Sequence, residues 1–251
     1  MKQCLLAVIS VTLSAISAKS AVLTSIPGPD DQGGMIMPMV MLSGNSLSVM
    51  FTPPLESPLL ASLEHWSPGD AFQASSAWYT ELDPMGGSGA LFNNQYGFTF
   101  MGSIPTGGVL GIRLLSASSN LLQSWNYVNS QNRFDRVFQN VGDQVLWNGS
   151  MWHSYFTIHA DVDPGIYSAT FQVFIANGAF TTGSGFVDYG ASAQAATQDM
   201  NYAPVNITYS WEVAVVPEPS SILLLGGAGV FALFFKLSQR KVSKPLVSQQ
   251  S

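Results

Sequence analysis

Apolar and polar residues alternate along much of the middle of this chain. Residues 167–175 read Tyr-Ser-Ala-Thr-Phe-Gln-Val-Phe-Ile, which puts Tyr167, Ala169, Phe171, Val173 and Ile175 on one face. A period of two is the signature of a half-buried strand, and β-branched and aromatic residues strengthen it. Residues 46–52, 96–101, 109–115, 152–160 and 207–215 obey the same rule, the last with Tyr209, Trp211, Val213 and Val215 in line. Turn formers separate these runs: Pro27-Gly28-Pro29, Pro53-Pro54, Ser67-Pro68-Gly69-Asp70, Asp83-Pro84, Asn148-Gly149 and Asp163-Pro164-Gly165. No long 3.6-residue apolar pattern occurs except at the two ends. The expectation is an all-β domain, a β-sandwich of jelly-roll or immunoglobulin-like type with eight to ten strands. No internal repeat is visible, which argues against a propeller or solenoid. Gly86-Gly87-Ser88-Gly89 reads as a loop. Residues 177–203, rich in Gly, Ala, Ser, Thr and Gln, read as a long surface excursion without regular structure.

The ends differ in kind from the middle. Lys2 precedes an apolar run over residues 4–16, and small residues around Lys19 offer a cleavage point for signal peptidase. Residues 1–20 are therefore expected to be a signal peptide, with Cys4, the chain's one cysteine, leaving with it. At the other end, seventeen uncharged residues over 219–235 would span about 25 Å as a helix. That is short for a hydrocarbon core of about 30 Å, but Lys236 can snorkel to the interface. Charge divides the same way. Three arginines against all fifteen acids leave the interior at −12, while six cations lie at the ends. Cations flanking apolar segments stay on the cytoplasmic side, so the acidic interior is the part expected to cross.

Just before the C-terminal apolar segment stands Pro217-Glu218-Pro219, and just after it come the basic residues Lys236, Arg240 and Lys241. Together these resemble the PEP-CTERM sorting signal of Gram-negative bacteria. The likeness covers residues 216–244, with a membrane helix at about 219–235 and a polar tail at 245–251 that is longer than such signals usually carry. It implies an exported protein, held as a precursor in the inner membrane, with an exosortase as its processing partner and Pro217, Glu218 and Pro219 as the recognised tripeptide. The physical reading agrees. Two prolines lock φ and remove two backbone donors, so the tripeptide stays extended and reachable. The basic residues act as the stop that fixes orientation. This chain would be the substrate of that processing, not its catalyst.

The exported middle, residues 21–215, offers little distinctive chemistry. A GxSxG elbow, an HExxH pair and a GxGxxG loop are all missing, and three histidines supply few general bases. Nine basic residues and an isoelectric point near 4.8 exclude a nucleic-acid partner. Two binding sites merit attention. His159, Asp161 and Asp163 would share one face if their strand ran on, a set suited to calcium, although Asp161 and Asp163 equally suit a strand end and an Asp-Pro-Gly turn. Asp30, Asp31 and Asp70 are further calcium candidates. Trp147 and Trp152, with Trp66 and Tyr155, could serve as platforms for an extracellular polysaccharide beside Asn148, Asp143 and Gln144, or could simply be core.

The reading that results is a non-catalytic surface or extracellular-matrix protein whose domain binds or builds. Two alternatives remain. One is a secreted hydrolase of polysaccharide that pairs Glu64 with Asp70 or Glu81, for which the carboxyl separation would decide the stereochemical course. The other is a permanently anchored membrane protein whose C-terminal helix is never cut.

Overall fold

The longest alternating run in the sequence forms the longest strand. This computed structural model describes residues 32–62, 90–128, 133–181 and 185–214, all within one compact unit, Ser20–Ala214. The expected signal peptide, the Gly86–Gly89 loop, the carboxylates Glu64, Asp70 and Glu81, and the C-terminal helix lie outside the described residues. Among the described residues no helix is long and apolar enough to cross a membrane.

The protein is all-β there, with strands numbered in chain order and grouped in three sheets. The first joins β1 (Met39–Ser43), β2 (Ser46–Met50), β5 (Gly97–Met101) and β10 (Trp152–His153) in the order β10-β5-β1-β2. The second joins β3 (Ala61–Ser62), β4 (Ala90–Asn93), β7 (Gln123–Val128), β8 (Arg133–Phe138) and β11 (Tyr155–His159) in the order β3-β4-β11-β7-β8. The third runs β13 (Val187–Asp188), β9 (Gln144–Trp147), β6 (Gly108–Ala117), β12 (Gly165–Asn177) and β14 (Thr197–Gln198), with β15 (Val205–Val213) also paired to β12. One five-residue helix, α1 (Ala191–Ala195), follows β13. Among the described strand pairs β1 and β5 run parallel, and isolated parallel bridges join Ile36 to Tyr96, Ser46 to Ala203 and Leu59 to Glu212.

The ladder of β12 and β15 shows why alternation was informative. Tyr167 lies opposite Trp211, Ala169 opposite Tyr209, Phe171 opposite Ile207 and Val173 opposite Val205. All but the half-buried Tyr167 and Val205 are buried in one core that draws on all three sheets, with Phe98, Trp147, Trp152 and Phe156 among its members. The intervening Ser168, Thr170, Thr208 and Ser210 form the outer face, and Thr170 and Thr208 bond through their hydroxyls at 2.9 Å. Hydrophobic-in, polar-out alternation is the ordinary pattern of an antiparallel sheet with one solvated face.

Three expectations need correction. The described residues contain fifteen strands, four of them only two residues long, rather than eight to ten. Residues 152–160 are not one strand. The run breaks at Ser154, so β10 belongs to the first sheet and β11 to the second. A second break, at residues 94–96, passes the partner segment from β4 to β5 in the same way. Strands that switch sheets at a bend are how corners are made where sheets cross steeply. The buried Ser154 hydroxyl meets that of Ser124 at 2.5 Å at this corner.

The described parts of 177–203 are folded rather than loose. Gln144 Nε2 donates to the carbonyls of Ala193 at 2.8 Å and Ala196 at 2.6 Å, and Gln194 Nε2 returns a bond to the Gln144 carbonyl at 2.6 Å. These bonds hold α1 over Val109, Leu146 and Phe174, a second apolar cluster on the opposite face of the third sheet. Close approach there requires Gly111, because a Cβ on it would lie 2.4 Å from the Phe174 ring.

Candidate functional site

The sorting residues Pro217, Glu218, Pro219, Lys236, Arg240 and Lys241 lie outside the described residues. The calcium set does not share a strand face, because β11 ends at His159. His159 Nδ1 and Asp161 Oδ2 lie 3.3 Å apart, and the Asp161 N–H points at the same ring nitrogen at 3.3 Å. Asp163 sits in the following turn, where its backbone carbonyl accepts from the Tyr167 hydroxyl at 2.7 Å. Among the described residues no group of three His, Cys, Asp or Glu side chains could hold a metal ion. The chain leaves the strand here in a turn closed by the Val162 N–H donating to the His159 carbonyl at 3.3 Å, a place where aspartates are favoured, and Pro164 and Gly165 (φ 154°) then lead into β12.

Trp147 and Trp152 are 0% and 2% exposed, so neither offers a ring face to a sugar. Trp147 donates to the Ser150 carbonyl at 2.7 Å, and Trp152 donates to Asn126 Oδ1 at 3.0 Å while stacking on Phe98. A buried indole is held by such a bond, because an unmet donor in the interior is costly. Tyr155 is half-buried against Phe134, and Gln144 is consumed by α1.

The corner between the first two sheets brings together a different group. Tyr96 and Tyr209 stack with ring centres 4.2 Å apart. Tyr96 donates to the Ser210 carbonyl at 2.9 Å, and Tyr209 donates to the Gly97 carbonyl at 2.7 Å. Burial raises the proton affinity of both phenols, Tyr209 well above the ordinary value with Tyr96 adding to the effect, and Tyr96 with its carbonyl bond partly offsetting it. Across Gly97 from β10, the His153 ring fills the space a side chain at 97 would take, for a Cβ there would lie 3.2 Å from two ring atoms. Its Nδ1 lies 3.3 Å from the Asn94 carbonyl and its Nε2 lies 3.1 Å from Met35 Sδ. Burial lowers the proton affinity of His153, and the Asn94 carbonyl partly restores it.

Met35 also lines a groove of about 330 Å³ along the edge of the first sheet, together with Met37, Met39, Met50, Phe51 and Pro54. Met39 lies directly opposite Met50 and Met41 opposite Met101, so the outer face of this sheet is laid with thioethers. Their spacing was visible as letters, Met35, Met37, Met39 and Met41 at every second position. Reading that run as a strand and its entry would have found the face. Nothing local in the sequence places His153 beside it, since the two lie 118 positions apart.

Residues 215–241 match the family model described as the PEP-CTERM protein-sorting motif. No curated protein and no solved structure matches the chain. The motif marks an exported protein targeted to an exosortase, with membrane-associated sorting followed by display at the surface or release.

Proposed function

We propose that this chain is a cell-surface or extracellular-matrix protein, exported by way of residues 1–20, processed at Pro217-Glu218-Pro219, and left with a non-catalytic β-sandwich spanning 21–215. The observation that carries the proposal is the sorting motif over 215–241, which begins only two residues after β15 ends at Val213. A tripeptide with two prolines is poorly suited to a sheet ladder, because each proline lacks the N–H the ladder needs.

Support for a binding or building role comes from where the interior polar groups are used. Gln144 ties α1 to β9, Trp125 Nε1 bonds Thr157 Oγ1 at 2.8 Å between β7 and β11, and Trp152 reaches Asn126. These bonds connect elements and hold the architecture. One core shared by three sheets favours a sandwich, with the corner at Ser154 and residues 94–96 letting strands pass between layers. Within this reading the sandwich is of jelly-roll or immunoglobulin-like type.

The intact mass of the protein recovered from the surface and medium of the producing cell tests the reading. The expected mass corresponds to loss of the leader and of everything beyond the Pro-Glu-Pro region. Mature protein that still contains Phe235 would overturn it and would make the chain a permanently anchored membrane protein.

A further inference from the structure

We propose that the methionine-lined groove on the first sheet is a binding site for a soft monovalent metal ion, Cu(I) or its chemical surrogate Ag(I), held by Met35 Sδ and His153 Nε2 with thioethers of the same groove completing the shell.

The hydrogen-bond roles carry the assignment. The Asn94 carbonyl can only accept, so the His153 Nδ1 facing it at 3.3 Å is the protonated nitrogen. Neutral imidazole carries one proton, which leaves Nε2 with a bare lone pair. That lone pair faces Met35 Sδ at 3.1 Å, and a thioether has no proton to give. Two electron-pair donors thus point at each other with nothing between them. A cation resolves the arrangement. A first-row ion with bonds of about 2.0 Å to nitrogen and 2.3 Å to sulfur sets its two donors about 3.5 Å apart, so a shift of a few tenths of an ångström admits it. A metal-bound histidine typically fixes its other nitrogen by donating to a backbone carbonyl, which is the role Asn94 fills.

The remaining lining selects the kind of ion. Met37, Met39 and Met50 share the groove with Met35, and among the described residues no carboxylate lines it. Hard cations require oxygen, whereas thioethers favour Cu(I). Methionine is long and unbranched, so sulfurs on alternate residues of one extended segment can converge although their Cα atoms lie about 7 Å apart. Gly97 is part of the device, since any larger residue would push the imidazole off the strand it leans across.

The test titrates the full chain carrying Cys4→Ser, which removes the competing thiol, in detergent with silver nitrate in chloride-free buffer, and in parallel with Cu(I) under ascorbate against a chromophoric Cu(I) chelator. The expected result is one tight equivalent. At hundredfold excess over the dissociation constant the melting temperature should rise by about 5–10 °C. Calcium and zinc at the same concentration should produce no such rise. Met35→Leu, which keeps volume and apolarity, and His153→Leu should each weaken binding at least about tenfold, whereas Met200→Leu, at a methionine remote from the groove lining, should not. If His153→Leu fails to fold, Met35→Leu alone decides, with the metal-free melting curve as its control. Binding unchanged in Met35→Leu, equal response to zinc, or no saturable equivalent would each overturn the proposal. None of these outcomes bears on processing at Pro-Glu-Pro.

Discussion

Two outer faces of this molecule obey the same backbone rule with opposite side chains. On the β12–β15 ladder the outward positions include Ser168, Thr170, Thr208 and Ser210, while on the first sheet Met39, Met41, Met50 and Met101 stand among Ser46, Ser48 and Thr99. The pleat dictates only that alternate residues point outward. The first choice is what solvation asks of an antiparallel sheet. The second leaves Met50 at 61% and Met101 at 52% exposure, beside Met35 at 49%. Scattered exposed apolar residues are normal, but four methionines grouped on one face, with Ser46, Ser48 and Thr99 among them, point to an occupant. The difference teaches that departures from polar-out alternation are where this domain's chemistry should be sought.

The comparison breaks most severely from below, where each face rests on a buried tryptophan. Trp152 supports the thioether face and Trp211 the hydroxyl face. Trp152 Nε1 donates to Asn126 Oδ1, whereas Trp211 Nε1 has no partner among the described residues. Trp152→Phe should cost about 3 kcal/mol, since it opens a void and strands a buried acceptor. Trp211→Phe should cost about half of that, because the lost volume is partly offset by removing an unmet donor. Urea unfolding of both variants checks the order, and a larger loss at Trp211 would contradict this account of the two supports.

A middle-sized effect tests the joint between the faces. Tyr209 of β15 reaches the Gly97 carbonyl of β5. Its folded-state proton affinity is raised, and so is that of Tyr96, so both stay neutral in the native state to higher pH than in the unfolded chain. Their contribution is full below the unfolded value of about 10 and is lost progressively as pH climbs from there toward the raised native value. Melting temperature should therefore fall steeply above about pH 10. Tyr209→Phe should cost about 1–3 kcal/mol at neutral pH by leaving a carbonyl unmet, and should flatten that alkaline limb. An unchanged limb would place the alkaline loss elsewhere.

What could be read from the sequence follows the same division. β15 and the first part of β12 were legible because each buries one face and wets the other, so their pattern keeps its period; at 173–176 of β12 both faces are covered. β9 was not, since Gln144, Val145, Leu146 and Trp147 are all buried: Val145 and Trp147 enter the main core while Leu146 lies under α1. A strand covered on both sides loses its alternation. The break at Ser154 was hidden for a different reason. Alternation carries on through the bend, and only pairing partners show that the sheet has changed. The sites divide likewise. The sorting motif is contiguous and therefore plain. The aromatic platforms and the calcium set were inferred from residue type; burial removes Trp147 and Trp152 from the first, and the turn after His159 separates Asp163 from a shared strand face in the second. The His153–Met35 contact depends on two corner segments meeting, which no local pattern encodes.

The smallest expected effect asks whether the thioether face is free surface at all. Mild peroxide adds one oxygen to accessible methionine sulfur and leaves serine and threonine unchanged, so the two outer faces should respond oppositely. Peptide mass mapping of treated protein should find sulfoxide first at Met200, Met50, Met101, Met151 and Met35, all about half or more exposed, and later at the less exposed Met37, Met39 and Met41. Because exposed sulfurs contribute little packing, the early modifications should shift the melting temperature by no more than about 2 °C, the scale of a surface change of about 0.5 kcal/mol. A fall several times larger would mean that these methionines are packed as a core is packed, and that the face is part of the support rather than a surface awaiting an occupant. Protection of Met35 by one equivalent of Ag(I), with Met200 still oxidised at its former rate, would tie the reactive sulfur to the His153 pair, since a sulfur whose lone pair is engaged by a metal is no longer available to the oxidant.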